Sequence, residues 1–155
     1  MKYKKILFIE DNKTKIDEVT KFLKNEFKET TITIKESFVS GLKELFTSEY
    51  DLLLLDMSLP VRDDEVLIND FMQLGGHRIL SEMRRKKKII PTILVTMYSE
   101  FNNGNSLLDI ESVSNLINKN FSDFYLGYVY FSSQNISWQA NLKKLILQSY
   151  EDIDS

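Results

Sequence analysis

The sequence predicts an α/β fold with a mostly parallel, five-stranded sheet and helices on both faces of that sheet. Two observations predict it. Stretches that are typical of strands alternate with stretches of helical periodicity along the 155 residues. Short, continuous apolar runs such as Leu52–Leu55 are typical of strands that are buried on both faces, as strands are in parallel sheets.

The first third of the chain accounts for three strands and two helices. Apolar residues recur at helical spacing from Ile16 to Phe27, with Asn12 as the expected N-cap, and again from Phe38 to Phe46. The strands are rich in apolar or β-branched residues and are predicted at Ile6–Ile9, Thr31–Ile34 and Tyr50–Asp56.

The rest of the chain continues the alternation. Helices are predicted from His77 to about Lys87, from Leu107 to Asn118 and around Trp138 to Ile146, and strands at Thr92–Thr96, after Pro91, and Leu126–Phe131. Two connections, near 61–74 and 101–106, are longer than such links need, and both follow the carboxyl end of a strand. We expect one domain over 1–155, with insertions near 61–74 and 101–106.

Composition narrows the class of protein. A net charge of −3 provides no electrostatic reason to expect nucleic-acid binding. The chain has no cysteine, which favours a reducing, cytoplasmic setting. The apolar run after the basic start, Met1–Lys5, is too short for a signal peptide or a membrane span, so no membrane association is expected.

Polar residues that can bind a metal or a phosphoryl group end three of the apolar runs. Glu10 and Asp11 follow the first strand, Asp56 follows the third, and Thr96 ends the fourth. The carboxyl ends of parallel strands form the binding crevice of such sheets. Crowded carboxylates raise one another's pKa, and a hard divalent cation such as Mg²⁺ relieves that repulsion. An aspartate can also act as a nucleophile toward phosphoryl groups.

These segments resemble the receiver domain of bacterial two-component response regulators, over a span from Lys4 to about Gln148. The resemblance is carried by the segments 6–12, ILFIEDN; 51–60, DLLLLDMSLP; 91–96, PTILVT; and 127–129, GYV. It implies a flavodoxin-like, doubly wound sheet with the strand order 2-1-3-4-5.

The resemblance also implies a role for individual residues. Asp56 would be the phosphoacceptor, and Thr96 would bind the phosphoryl group and couple it to Tyr128, the switch aromatic. Mg²⁺ would be the cofactor, and its implied ligands are Asp11 directly, Glu10 mainly through water, Asp56, and the backbone carbonyl of Ser58.

The chain departs from the family pattern at the end of the fifth strand. Family members carry a lysine there, usually followed by proline, and its ammonium pairs with the phosphoryl group. Here Phe131 stands at the lysine position and Ser132 at the proline position. Lys119 is a rival candidate for the lysine if the fifth strand is Ser114 to Asn118, although that segment is more polar than Leu126–Phe131.

The expected function is that of a stand-alone, atypical receiver in two-component signalling, phosphorylated on Asp56 in a phosphorelay, with no turnover of an external substrate. Its expected partners are a sensor kinase or phosphotransfer protein and a downstream protein. A pseudo-receiver, an interaction module that works without phosphorylation, is the alternative. An aspartate-nucleophile phosphatase is a third hypothesis, although such an enzyme would have a second acid at the position that Ser58 occupies here.

Overall fold

A computed structural model describes residues 3–62, 71–72, 75–97, 100–102 and 107–154 of the chain. Its central sheet has five strands, all parallel to their neighbours. In chain order these are β1 (Lys5–Ile9), β2 (Thr31–Lys35), β3 (Leu52–Leu55), β6 (Thr92–Thr96) and β9 (Tyr125–Tyr130). The strands β3 and β6, which lie between β1 and β9, are fully buried, as the apolar runs Leu52–Leu55 and Ile93–Val95 predict.

The strands lie side by side in the order β2-β1-β3-β6-β9. Counted over the five strands of this sheet alone, that is the expected order 2-1-3-4-5. The register pairs Ile9 of β1 with Leu55 of β3, so Glu10 and Asp56 leave the sheet side by side. The order and register therefore bring the acidic strand ends to one edge.

In the described part of the chain, five helices flank the sheet: α1 (Lys13–Glu26), α2 (Phe38–Thr47), α3 (Gly75–Arg85), α4 (Ile110–Phe121) and α5 (Ser137–Asp154). The Asn12 side chain caps α1 as predicted, because it accepts a hydrogen bond of 2.9 Å from the backbone N–H of Lys15. Ser37 and Ser40 form a reciprocal capping box at the start of α2.

Helices cover both faces of the sheet, as predicted. Buried residues of α2, α3 and α4 form one apolar cluster with Leu7, Leu53 and Leu94. Buried residues of α1 and α5 form a second cluster with Phe8 and Leu54. No described helix is both long and apolar enough to cross a membrane.

Two small antiparallel sheets were not expected from the sequence. In the first, β4 (Leu59–Pro60) pairs with β5 (Phe71–Met72), and in the second, β7 (Glu100–Asn102) pairs with β8 (Leu107–Asp109). The prediction that α4 begins at Leu107 is wrong for this reason, and Asp109 caps the helix instead. Residues 63–70, 73–74 and 103–106 of the expected insertions lie outside the described residues. The single-domain division over 1–155 stays a prediction.

Candidate functional site

The ends of β1 and β3 carry three acids into one cluster. The backbone N–H of Glu10 donates to the Lys35 carbonyl at 2.8 Å, and that of Asp56 donates to the Ile9 carbonyl at 3.1 Å. These bonds fix both residues one step past their strands. Carboxylate oxygens of Glu10, Asp11 and Asp56 all lie within 4.8 Å of one another. The structure thus groups three of the acids that the sequence placed at strand ends.

The cluster is buried and electrostatically crowded. Glu10 and Asp56 are 1% and 2% exposed. Burial, helped by the charge of Asp56, raises the pKa of Glu10 to about 8. Burial also raises the pKa of Asp56 and that of the half-buried Asp11. Their ionised forms therefore need a compensating cation, because desolvated charges of one sign oppose folding.

One cation of the chain itself enters the cluster from helix α1. The side chain of Lys15 is fully buried, and its Nζ lies 2.6 Å from Oε1 of Glu10 and 3.5 Å from Oδ1 of Asp56. The same Nζ donates to the carbonyl oxygen of Val95 at 3.1 Å. A single ammonium therefore contacts groups at the ends of β1, β3 and β6.

Lys15 was not among the site residues predicted from the sequence. A signal was present. Lys15 stands four residues before Val19 and directly before Ile16, and both of those residues are buried. Residues four apart share one face of a helix. That spacing places Lys15 on the inward face.

The three acids fit the requirements of a magnesium ion. Oε1 of Glu10 and Oδ1 of Asp56 are buried oxygens that both face the Lys15 ammonium, and Oδ1 of Asp56 has no hydrogen-bond partner among the described residues. Mg²⁺ prefers carboxylate oxygens and completes its octahedron with water and phosphate oxygens. The half-buried side of Asp11 leaves room for such ligands to approach. The metal-binding roles themselves stay predictions.

The backbone around Asp56 is held by a close approach of α3. The N–H of Gly76 donates to the Met57 carbonyl at 2.9 Å. A Cβ atom at Gly76 would come within 2.5 Å of the backbone oxygen of Asp56. Only glycine fits there, so this residue sets how closely α3 packs on the end of β3. Gly76 was not among the site residues predicted from the sequence.

The remaining predicted site residues lie near the same edge. Ser58 is buried, and its backbone N–H donates to the Asp56 carboxylate. Thr96 is fully buried at the end of β6. Tyr128 lies on β9 opposite Leu94, and its partly buried ring packs on the cluster beneath α2, α3 and α4. The roles of Ser58, Thr96 and Tyr128 stay predictions.

Phe131 lies where the resemblance places a lysine. Its N–H donates to the Thr96 carbonyl at 2.8 Å, which sets it beside the end of β6. The ring is buried and stacks at a tilt on Trp138, with 5.2 Å between ring centroids. The rival candidate Lys119 is wrong on structural grounds, because it is an exposed residue of α4 and Ser114 to Asn118 is helical.

Comparison with known proteins gives consistent results. No family profile matches the chain. The "Detocs response regulatory protein DtcB" of Enterobacter cloacae (strain JD6301) is 29% identical over 148 residues, which cover 93% of this chain and 99% of that protein. An uncharacterized protein of Sinorhizobium fredii (strain NBRC 101917 / NGR234), y4jR, is 22% identical over 90% of this chain and 94% of its own length.

Solved structures share the fold. The signal receiver domain of an HD domain-containing protein from Pseudomonas fluorescens Pf-5 superposes with a TM-score of 0.65 at 16% identity, over 97% of this chain and 96% of that chain. Response regulator protein TrrA from Thermotoga maritima, solved in complex with Mg²⁺-BeF, gives a TM-score of 0.53 at 27% identity, over 92% and 98% of the two chains. The predicted resemblance to response-regulator receiver domains and the predicted fold class are confirmed.

Proposed function

We propose that this chain, which has the fold of response-regulator receiver domains, binds Mg²⁺ and accepts a phosphoryl group on Asp56. One observation carries the proposal above all: Asp56 is a buried carboxylate at a strand end that shares its site with two further acids, Glu10 and Asp11. A bound cation would relieve the repulsion among these acids, and the cluster is the oxygen-rich set that Mg²⁺ prefers.

The phosphoryl transfer is a displacement at phosphorus. A carboxylate oxygen of Asp56 attacks the phosphorus of the donor and forms a new P–O bond. The bond between phosphorus and the leaving group breaks, and the leaving group keeps the electron pair. With acetyl phosphate as the donor, the products are an aspartyl phosphate and acetate, so atoms and charges balance.

The acids would have different roles in binding the metal. Asp11 and Asp56 would ligate the metal directly, Glu10 mainly through water, and the carbonyl of Ser58 would add a further oxygen. When bound, Mg²⁺ offsets the negative charge that gathers on the transferring phosphoryl group. The hydroxyl of Thr96 would donate a hydrogen bond to a phosphoryl oxygen and pass the change to Tyr128.

A sensor kinase or a phosphotransfer protein would supply the phosphoryl group. Output would follow through a protein partner that docks on the face formed by α4, β9 and α5, within the cytoplasm. The chain would be the acceptor in this exchange and would turn over no external substrate. No partner among nucleic acids or membranes is part of the proposal.

A phosphorylation-independent interaction module is the second candidate, and a specific contact favours it. The Lys15 ammonium already pairs with Glu10 and faces Asp56, so part of the acidic charge is neutralised without a metal. A domain built in this way needs no phosphoryl group to fold. The two candidates differ in their response to a phosphoryl mimic.

Beryllofluoride in the presence of Mg²⁺ is the test, because it mimics a phosphoryl group bound to an aspartate. We expect ¹⁹F NMR to detect bound beryllofluoride on the wild-type chain and no bound signal on Asp56→Asn. Asp17→Asn, which changes an exposed acid of α1, is the matched control and should bind like the wild type. Equal absence of a bound signal in wild type and Asp56→Asn would favour the interaction module instead.

A further inference from the structure

We propose that Lys15 supplies the ammonium that pairs with a phosphoryl group on Asp56, from helix α1 rather than from the end of the fifth sheet strand. The inference rests on the proposed function and adds a residue to it. It concerns a lysine that no sequence pattern had assigned to the site.

The contacts of Lys15 place its charge beside the acceptor. Its Nζ is 3.5 Å from Oδ1 of Asp56, a carboxylate oxygen that has no hydrogen-bond donor among the described residues. Two other oxygens, Oε1 of Glu10 at 2.6 Å and the Val95 carbonyl at 3.1 Å, hold the ammonium in place. An ammonium has three N–H donors, so one remains to face Asp56.

The full burial of the Lys15 side chain is the second observation that supports the proposal. Lys15 is fully buried, and a buried ammonium is costly unless charged or polar partners compensate it. The long side chain would otherwise extend to solvent, as lysines on helix surfaces do. Its position on the inward face of α1, with its ammonium against Glu10 and Asp56, indicates a role in the site.

The usual position for such a charge is filled by an apolar ring. Phe131 is buried at the end of the fifth sheet strand and packs on Trp138, so it offers no donor to the site. Lys15 reaches the same edge of the sheet from helix α1. The charge lost at Phe131 is thereby restored from α1, with its Nζ on the backbone carbonyl of Val95, next to Thr96.

Phosphorylation would strengthen the demand for this cation. A phosphoryl group on Asp56 adds negative charge and three strong acceptor oxygens to a water-poor cluster. Hydrogen bonds between an ammonium and a phosphoryl oxygen are charge-assisted and among the stronger ones in proteins. The remaining donor of Lys15 lies within reach of an oxygen attached to Asp56.

The test compares the affinity of Mg²⁺-beryllofluoride for three proteins by ¹⁹F NMR titration: wild type, Lys15→Met and Lys119→Met. Methionine keeps most of the length of the side chain and removes the charge. We expect Lys15→Met to lose at least tenfold in affinity, and Lys119→Met, which removes an exposed lysine of α4, to bind like the wild type. Circular dichroism checks that each variant is folded.

Chemical rescue separates the charge from the packing. The natural chain has no cysteine, so Lys15→Cys introduces a unique thiol. Alkylation of the unfolded variant with 2-bromoethylamine, followed by refolding, recreates an ammonium at nearly the same length, and alkylation with 1-bromopropane creates a neutral chain of similar size. We expect the aminoethylated protein to regain most of the lost affinity and the propylated protein to remain weak.

Different results would overturn the role of Lys15 and the proposed function. Wild type and Lys15→Met that bind beryllofluoride equally would overturn the role of Lys15 and leave Asp56 as the acceptor. Tighter binding by Lys15→Met would also overturn it, because the ammonium would then compete with the metal. Absence of binding by every protein in the series would overturn the proposed function, and the inference with it.

Discussion

Millimolar Mg²⁺ is expected to raise the free energy of unfolding of this chain by about 2.7 kcal/mol when its concentration is a hundred times its dissociation constant. The reason is that a ligand which binds only the folded state stabilises that state, and the acids Glu10, Asp11 and Asp56 are gathered only on folding. For a domain of this size the gain corresponds to a rise of roughly 5 to 10 °C in the unfolding midpoint.

Thermal melts with Mg²⁺ and with EDTA measure this effect. Asp11→Ala should lose most of the rise, because Asp11 is an expected direct ligand. Asp17→Ala, which removes an exposed acid of the same region, should keep it. An unchanged midpoint in wild type and Asp11→Ala alike would argue against a working metal site.

Replacing Trp138 with alanine is expected to reduce the free energy of unfolding by about 3–5 kcal/mol, the usual range for a large buried aromatic residue. Trp138 is 1% exposed and contacts two aromatic rings, Phe22 at 5.5 Å and Phe131 at 5.2 Å between centroids. It therefore ties α5 to α1 and to the end of β9. Denaturant unfolding measures the loss.

Trp138→Phe serves as the control for this prediction. The indole nitrogen of Trp138 is buried and has no hydrogen-bond partner among the described residues, so phenylalanine forfeits no such bond. We expect a loss well below that of Trp138→Ala. A loss under about 1 kcal/mol in Trp138→Ala, the size of an average substitution, would show that the cluster repacks around the gap.

The sheet could be predicted because its residues carry the information locally. Leu52–Leu55 is apolar throughout and Ile93–Val95 is apolar at the centre of its strand, and strands covered on both faces bury such runs. The start of α4 could not be predicted in this way. Leu107 and Leu108 pair with Asn102 and Phe101 in an antiparallel ladder, and this strand pairing overrides their helical spacing.

The acids of the site could be predicted from the sequence, but its cation, Lys15, could not. Glu10 and Asp56 follow recognisable strands, and the order of those strands brings them together. Lys15 lies on a helix, where its contact with Asp56 depends on how α1 packs across the sheet. Gly76 matters only through the approach of α3 to the backbone of Asp56. Tertiary packing determines both the contact of Lys15 and the approach of α3, and a local sequence pattern does not predict tertiary packing.

The most direct measurement is the mapping of the phosphoryl group after incubation with acetyl phosphate and Mg²⁺. Intact-mass spectrometry measures the fraction labelled, and fragmentation identifies the residue. We predict an alkali-labile acyl phosphate on Asp56 that requires Mg²⁺ and that is absent from Asp56→Asn. Label that persists at full yield in Asp56→Asn would contradict the claim that Asp56 is the phosphoacceptor.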